Sequence, residues 1–259
     1  MFCHGKIGDG DTPSLPNLMK NFELITFATA DELAHTVAGK WLDEIESANR
    51  AGKPHCVALS GGRITQKFFA AVVEPAKVRA VSFASVHFFW ADERCVPPDD
   101  KESNFRLANE LLFVPLKIYE SQIHRIHGEL PPESAAAQAA AEISKITPLN
   151  QSGQPVLDLI FLGMGEDGHV ASLFAGEPEE VIARKAVYCA VKNSPKPPPN
   201  RVTLGYAAIA AARRVWVLVS GTGKETALRK SLCANGHTPL ARVTQFRTQT
   251  RIFTDFRPV

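Results

Sequence analysis

The sequence predicts an α/β protein built on a largely parallel β-sheet. Three observations carry this. Apolar, strand-like runs alternate with helix-compatible segments along the chain, the pattern of strand–helix–strand units. Five of the apolar runs lead directly into polar loops rich in Gly, Pro or charge: Ser60-Gly61-Gly62-Arg63, Asp92-Glu93-Arg94, Gly163 to His169, Asn193 to Arg201, and Ser220 to Lys224. The composition is ordinary for a globular chain, with 259 residues, 45% hydrophobic and 22% charged, enough apolar material for a sizeable core.

The elements follow in order. Phe22 to Phe27 alternates apolar and polar residues and reads as a first strand. Asp31 is the expected N-cap of a helix whose buried face is Leu33, Val37, Trp41 and Ile45, ended by Gly52-Lys53-Pro54. Cys56 to Leu59 is a short apolar strand, followed by a helix from about Thr65 to Val73. Val86 to Ala91 is an aromatic, β-rich strand that ends in Asp92-Glu93-Arg94. A loop, Cys95 to Glu102, precedes a helix from Asn104 to Phe113. Ile123 to Ile126 is expected as a short strand, and Glu133 to Ile146, with its run of Ala, as a helix.

The next strand, Leu157 to Leu162, breaks into the turn Gly163-Met164-Gly165-Glu166-Asp167-Gly168, then His169, then a helix-compatible Val170 to Phe174. Ala186 to Val191 is a strand that enters the proline-stiffened loop up to Arg201. Val202 to Leu204 is extended, Tyr206 to Arg213 an Ala-rich helix, and Val215 to Val219 a strand. A helix from Glu225 to Cys233, a helical turn from Leu240 to Gln245 and a strand from Arg251 to Thr254 complete the order. No internal repeat or linker divides the chain. One α/β domain is expected over residues 21–259, preceded by a Gly-, Pro- and Asp-rich flexible extension over residues 1–20.

Net charge is +2, so bulk electrostatics point to neither a nucleic acid nor a membrane surface as partner. No apolar run reaches spanning length and the first twenty residues lack a signal-peptide core. The five cysteines (Cys3, Cys56, Cys95, Cys189 and Cys233) are scattered and share no metal-binding spacing, which points to reduced thiols in the cytoplasm and no metal site.

In a parallel sheet every strand ends on the same edge, and ligands bind in the crevice there. That rule puts Gly61, Gly62, Arg63, Asp92, Arg94, Asp167, His169, Lys196, Arg201 and Lys224 on one side, a set suited to an anionic ligand and acid–base chemistry. Each motif has a competing reading. Gly163 to Gly168 satisfies the dinucleotide pattern GxGxxG, but Glu166 and Asp167 would repel a pyrophosphate. Ser220 to Lys224 lacks the earlier glycine of a Walker loop, since Leu218 stands there, and leaves Lys224 equally a solvated lysine or a ligand contact. Ala58-Leu59-Ser60-Gly61-Gly62 is one glycine short of a nucleophile elbow, and nothing nearby in sequence activates Ser60. Asp92-Glu93-Arg94 could be a solvated cluster; its position raises Asp92 and Arg94, with Glu93 pointing away or pairing structurally. His169 alone among the histidines lies beside an acid on a glycine turn, where Asp167 would orient the imidazole and favour its protonated form.

Taken together, SGG, FFWADERCVPPDDKESNFRLA, LDLIFLGMGEDGHVASLF, SPKPPPNRVTLG and the terminal GTGK resemble the 6-phosphogluconolactonase family, over a span from about Phe22 to near the C-terminus. The continuation Ala171-Ser172-Leu173-Phe174 separates it from the related glucosamine-6-phosphate deaminases, which carry an Asn-Glu-Pro type sequence there. The resemblance implies a Rossmann-like, doubly wound domain of the sugar isomerase and CoA-transferase-like group. It implies hydrolysis of 6-phospho-D-glucono-1,5-lactone without metal or cofactor. His169 would activate water, Asp167 orient it and Arg94 stabilise charge near the lactone. Gly61, Gly62, Lys196 and Arg201 would hold the phosphate or line its pocket, and Arg63 and Asp92 join them as candidate substrate-binding residues on this chain's own pattern. A monomer is the expected state, with a weak dimer as alternative. Three departures from the family pattern stand out: Arg63-Ile64-Thr65 after the glycines, Gly205 after Arg201-Val202-Thr203-Leu204, and Asp255 followed by Phe256-Arg257-Pro258. The alternatives are an amino-sugar phosphate deaminase and a phosphosugar sensor without turnover.

Overall fold

The computed structural model describes Met19 and residues 21–257. The flexible extension expected over residues 1–20 therefore lies outside the described residues, apart from Met19, whose N–H donates to the Leu232 carbonyl at 3.0 Å. The strands are β1 (Phe22–Thr26), β2 (His55–Leu59), β3 (Val86–Trp90), β4 (Asp92–Arg94), β5 (Leu159–Gly163), β6 (Tyr188–Val191), β7 (Arg201–Leu204), β8 (Arg214–Val219) and β9 (Thr250–Thr254). The helices are α1 (Ala30–Arg50), α2 (Arg63–Val78), α3 (Asn104–Ala108), α4 (Val114–Leu116), α5 (Pro132–Ile146), α6 (Glu179–Ile182), α7 (Tyr206–Ala211), α8 (Glu225–Leu232) and α9 (Pro239–Gln245). A π-helical turn over Asn109–Phe113 joins α3 to α4.

Six strands form an all-parallel sheet in the order β1-β9-β8-β5-β2-β3. The chain moves outward from β2 to β3, then returns to lay β5 on the other side of β2, and continues through β8 to β9. Right-handed crossovers then place α1 and α2 on one face and the later connections on the other, which is double winding. The direction reverses between β2 and β5. Their ladder has only two register pairs, Val57↔Leu159 and Ala58↔Ile160. Beyond it the strands part, and the Ser60 hydroxyl spans the gap to the Phe161 carbonyl at 2.8 Å. The crevice at this reversal is where an open α/β sheet binds its ligand.

Beneath it, Trp41 from α1 and Phe68 from α2 meet Phe161 of β5, with ring centroids 5.4 and 4.6 Å away. The strand interiors are continuous apolar runs, as burial on both faces requires.

The structure corrects several expectations. Thr29, not Asp31, caps α1: its backbone is extended and its hydroxyl accepts from the Glu32 N–H at 3.1 Å, whereas Asp31 lies within the first turn and pairs with Lys67. Asp92-Glu93-Arg94 is not a loop but strand β4 of a second, antiparallel sheet, β4-β7-β6. The Pro-rich loop after β6 therefore reaches the site from this second sheet rather than from the parallel edge. Between Ile123 and Ile126 only Ile123 makes a bridge, to Phe88. α2 continues beyond Val73 to Val78. Val170 to Phe174 is not helical. Ala171 adopts φ +50°, which a right-handed helix cannot include, and Val170 bridges Met164 on one side and Leu173 on the other.

Candidate active site

A cavity of about 120 Å³ opens at the β2/β5 reversal. Its wall includes Gly61, Gly62 and Arg63 from β2–α2, Asp92 and Arg94 from β4, His169 after β5, Arg201 from β7 and Lys224 at the start of α8. Of the residues expected at the site, Asp167 and Lys196 stand just outside this wall, Asp167 on the His169 ring and Lys196 Nζ 3.7 Å from Asp167.

His169 is held by a tight turn rather than a helix. Gly165 N–H donates to the His169 carbonyl at 2.9 Å, and Gly168, at φ +82°, closes the turn where a side chain would be strained. Asp167 Oδ1 lies 2.5 Å from His169 Nδ1. Burial pushes the Asp167 carboxyl up, but the His169 hydrogen bond and charge, the His169 amide and Lys196 together bring it below its ordinary value. An ionised carboxylate only accepts, so Nδ1 carries the proton and Nε2 keeps its lone pair. Burial, strengthened by Lys196, holds the imidazole below its ordinary value of 6.5 despite the opposing pull of Asp167 and Asp92. Asp167 does favour the protonated ring, as expected, but desolvation of the cation outweighs that pull, and the ring is a neutral base near pH 7. Phe174 packs against it, with ring centroids 5.0 Å apart.

The cations come from the small sheet. Arg94 and Arg201 are register partners across β4 and β7. Arg94 donates through one terminal nitrogen to the Glu102 carbonyl at 2.7 Å, while its buried Nε has no hydrogen-bond partner among the described residues. Arg201 is largely committed to the Pro-rich loop, donating to the carbonyls of Lys196, Pro197 and Pro198 at 2.9–3.1 Å. Burial, then the charge of Arg94, lowers its pKa.

Asp92 is buried, and its Oδ2 accepts from the Ser172 hydroxyl at 2.6 Å. Glu93 does pair structurally. Its two oxygens take the N–H groups of Arg94, Asn104 and Phe105 and the Ser103 hydroxyl, fixing the start of α3 under the site. Arg63 is mostly exposed, and its guanidinium stands 4.0 Å from Glu166. Lys224 is brought in as a wall residue; burial lowers its pKa, with Arg63 acting in the same direction.

The two glycines serve different ends. A Cβ on Gly61 would lie 1.9 Å from Asn104 Oδ1, so its bare backbone admits that amide. Gly62 has φ +111° and precedes α2, whose first N–H groups receive no side-chain cap. Asn104 and Ser172 were missed by sequence reasoning. Both lie inside the segments that carry the family resemblance, but only their long-range contacts show that they meet Asp92, Asn104 donating to its carbonyl at 2.9 Å and Ser172 to its carboxylate. Among the described residues no group of three or more His, Cys, Asp or Glu side chains is arranged to hold a metal ion.

Fold and site together define a doubly wound α/β protein with an acid–base pair and a ring of cations at the topological switch point. The sequence profile described as glucosamine-6-phosphate isomerases/6-phosphogluconolactonase matches residues 28–252, and the chain belongs to that family. It is 34% identical over 197 residues to a 6-phosphogluconolactonase of Treponema pallidum, covering 76% of this chain and 80% of that protein. It is 38% identical over 187 residues to the protein named "Probable 6-phosphogluconolactonase 3, chloroplastic" of Oryza sativa subsp. indica, covering 68% of this chain. The match covers 55% of the rice protein, so the chain spans about half the length of that relative. The solved 6-phosphogluconolactonase of Trypanosoma brucei superposes with a TM-score of 0.79 at 26% identity, covering 92% of this chain and 97% of that one.

Proposed function

We propose that this chain hydrolyses 6-phospho-D-glucono-1,5-lactone to 6-phospho-D-gluconate by general-base activation of water. The observation that carries the reading is the Asp167–His169 pair: a half-buried imidazole held below its ordinary pKa, with Nδ1 tied to a carboxylate and its ring on the cavity wall. His169 Nε2 takes a proton from water as it adds to the lactone carbonyl. Asp167 holds the tautomer and stabilises the imidazolium that forms. The Arg94 guanidinium, on the cavity wall, stabilises the developing oxyanion. A lactone is an activated ester, so no covalent nucleophile is required. Ser60 fits that economy, since its hydroxyl is spent on the Phe161 carbonyl.

The phosphate is read as lying at the N-terminus of α2, where Gly61 and Gly62 leave backbone N–H groups uncapped and Arg63 and Lys224 flank the opening. Arg201 lines another part of the wall, with Lys196 just outside it beside Asp167. Binding the remote phosphate orients the ring against the base. The chain is read as acting in the cytoplasm as a monomer; the unpaired thiols of Cys56, Cys95, Cys189 and Cys233 support the reducing compartment.

The test is a coupled assay of 6-phosphogluconate formation with spontaneous hydrolysis subtracted. His169→Ala is expected to lose the enzymatic rate while keeping the wild-type melting profile. An unchanged rate would remove His169 as the base. Ammonia release from glucosamine 6-phosphate would move the chain to the deaminase reading instead.

A further inference from the structure

Two adjacent carboxylates of the His169 turn each hold a cation from the opposite lip of the cavity. Glu166 Oε1 lies 4.0 Å from the Arg63 guanidinium of the β2–α2 loop, and Asp167 Oδ1 lies 3.7 Å from Lys196 Nζ of the Pro-rich loop. The two pairs are not equivalent. Asp167 is bound to His169 and belongs to the base. Glu166 has no hydrogen bond to Arg63; its side chain is 63% exposed, against 82% for Arg63, so the pair is weak and easily parted. Glu166 also acts on Lys224, where its negative charge opposes the depression caused by burial and by Arg63. One carboxylate thus offsets both cations that flank the uncapped N-terminus of α2. A Cβ on Gly223 would sit 4.0 Å from the Glu166 side chain, so the carboxylate stands against the Gly223-Lys224 loop as well.

We propose that Glu166 is a resident anion of the phosphate subsite, one that an incoming phosphate must displace, and that it thereby weakens phosphate binding and narrows the preference for dianionic over uncharged lactones. The inference rests on the phosphate reading given above. The empty site keeps its cations partly neutralised by Glu166. A phosphate, with two charges and three acceptor oxygens, outcompetes a single exposed carboxylate for Arg63, Lys224 and the α2 N–H groups. An uncharged sugar lactone has nothing to exchange for Glu166 and leaves the pair in place. Glu166 is then a specificity residue that acts through Arg63 and never touches the reacting carbonyl.

The experiment is a double-mutant cycle on the full chain using Glu166→Gln, Arg63→Ser and the double variant. Two quantities are read: the KM for the phosphorylated lactone, and the dissociation constant for inorganic phosphate by equilibrium titration. Both variants alter exposed side chains, so folding is retained. Removing a carboxylate from a weak surface pair corresponds to about two- to fivefold in affinity. Glu166→Gln is expected to lower both constants by that factor, and Arg63→Ser to raise them. In the Arg63→Ser background, Glu166→Gln is expected to have less than half that effect. An increase or no change in either constant for Glu166→Gln overturns the proposal. So does the same gain in both backgrounds, because the effect would then be the general field of one removed charge. The phosphate titration needs no turnover, so it tests the displaced anion even if the chain proves to act on no lactone. A chain that turns over the lactone but shows no coupling between Glu166 and Arg63 loses this inference and keeps its proposed activity.

Discussion

Gly165→Ala should inactivate the base without unfolding the protein. Gly165 does not need its glycine for backbone reasons, because its φ lies outside the left-handed region. It needs it for space. A Cβ there would stand 2.1 Å from His169 Cε1 and Nδ1 and 2.7 Å from Asp167 Oδ1. To restore ordinary contact the ring must retreat by about 1.3 Å, and a displacement of that size at a catalytic group costs about 10²-fold in rate. Phe174 blocks an easy escape on one side, packed against the imidazole with centroids 5.0 Å apart. Moving the ring also breaks the Nδ1 contact to Asp167 that fixes the tautomer, so the loss falls on kcat. Stability should change little, since an alanine in an ordinary conformation restricts the unfolded chain and offsets part of the local strain by about 0.4–1 kcal/mol. The assay is lactone hydrolysis under saturating substrate, alongside a thermal melt. A kcat within threefold of wild type would refute the claim that the bare Gly165 backbone is what lets the Asp167–His169 pair close.

Two further outcomes follow from the same geometry. The base works only when neutral, and burial holds His169 below 6.5, so the acid limb of kcat/KM should fall below that value. Lys196 contributes to the depression, so Lys196→Met should move the limb to higher pH, and a limb that stays put or moves down would contradict the assignment. Glu93→Gln should destabilise the protein by about 2–3 kcal/mol in urea unfolding, because the new amide N–H₂ would face backbone N–H or hydroxyl donors at the start of α3. A loss under about 1 kcal/mol would mean that the surrounding donors find other partners.

The parallel sheet was legible because a buried strand has to be a short apolar run, and β2, β3, β5 and β8 are each bounded by polar or glycine-rich residues. The Asp167–His169 pair was legible for a similar reason: an acid and an imidazole two residues apart on a glycine turn cannot be far apart in space. The antiparallel sheet was not. β4 is three residues of charge, Asp92-Glu93-Arg94, with no apolar pattern, and it is a strand only because β7 supplies its ladder. The same blindness hid Ser172. Its own neighbours suggest a helix, and the interactions that override this are long-range: its N–H bonds to Thr203 and its hydroxyl to Asp92. The net downward shift of His169 was not legible, because a sequence shows the neighbouring acid and not the burial.

The seam between the two sheets also explains how a chain of net charge +2 makes a strongly cationic site. Arg94 and Arg201 stand directly opposite one another in an antiparallel pair, an arrangement that like charges disfavour. Glu102, 3.7 Å from Arg94, and Asp92, reached from Arg201 through the Ser172 hydroxyl, relieve part of that repulsion from the protein side. Neither carboxylate meets Arg94 Nε, which is buried without a hydrogen-bond partner among the described residues, while the residue itself lines the cavity with His169. On the proposed reading, an oxyanion forming between His169 and this guanidinium would add negative charge beside it at the moment the bond to water forms. Interaction made late, with a charge the ground state lacks, is what lowers a barrier rather than only tightening binding. On the proposed reading the parallel sheet therefore supplies the base and the phosphate end, and the small sheet supplies the cation that meets the transition state.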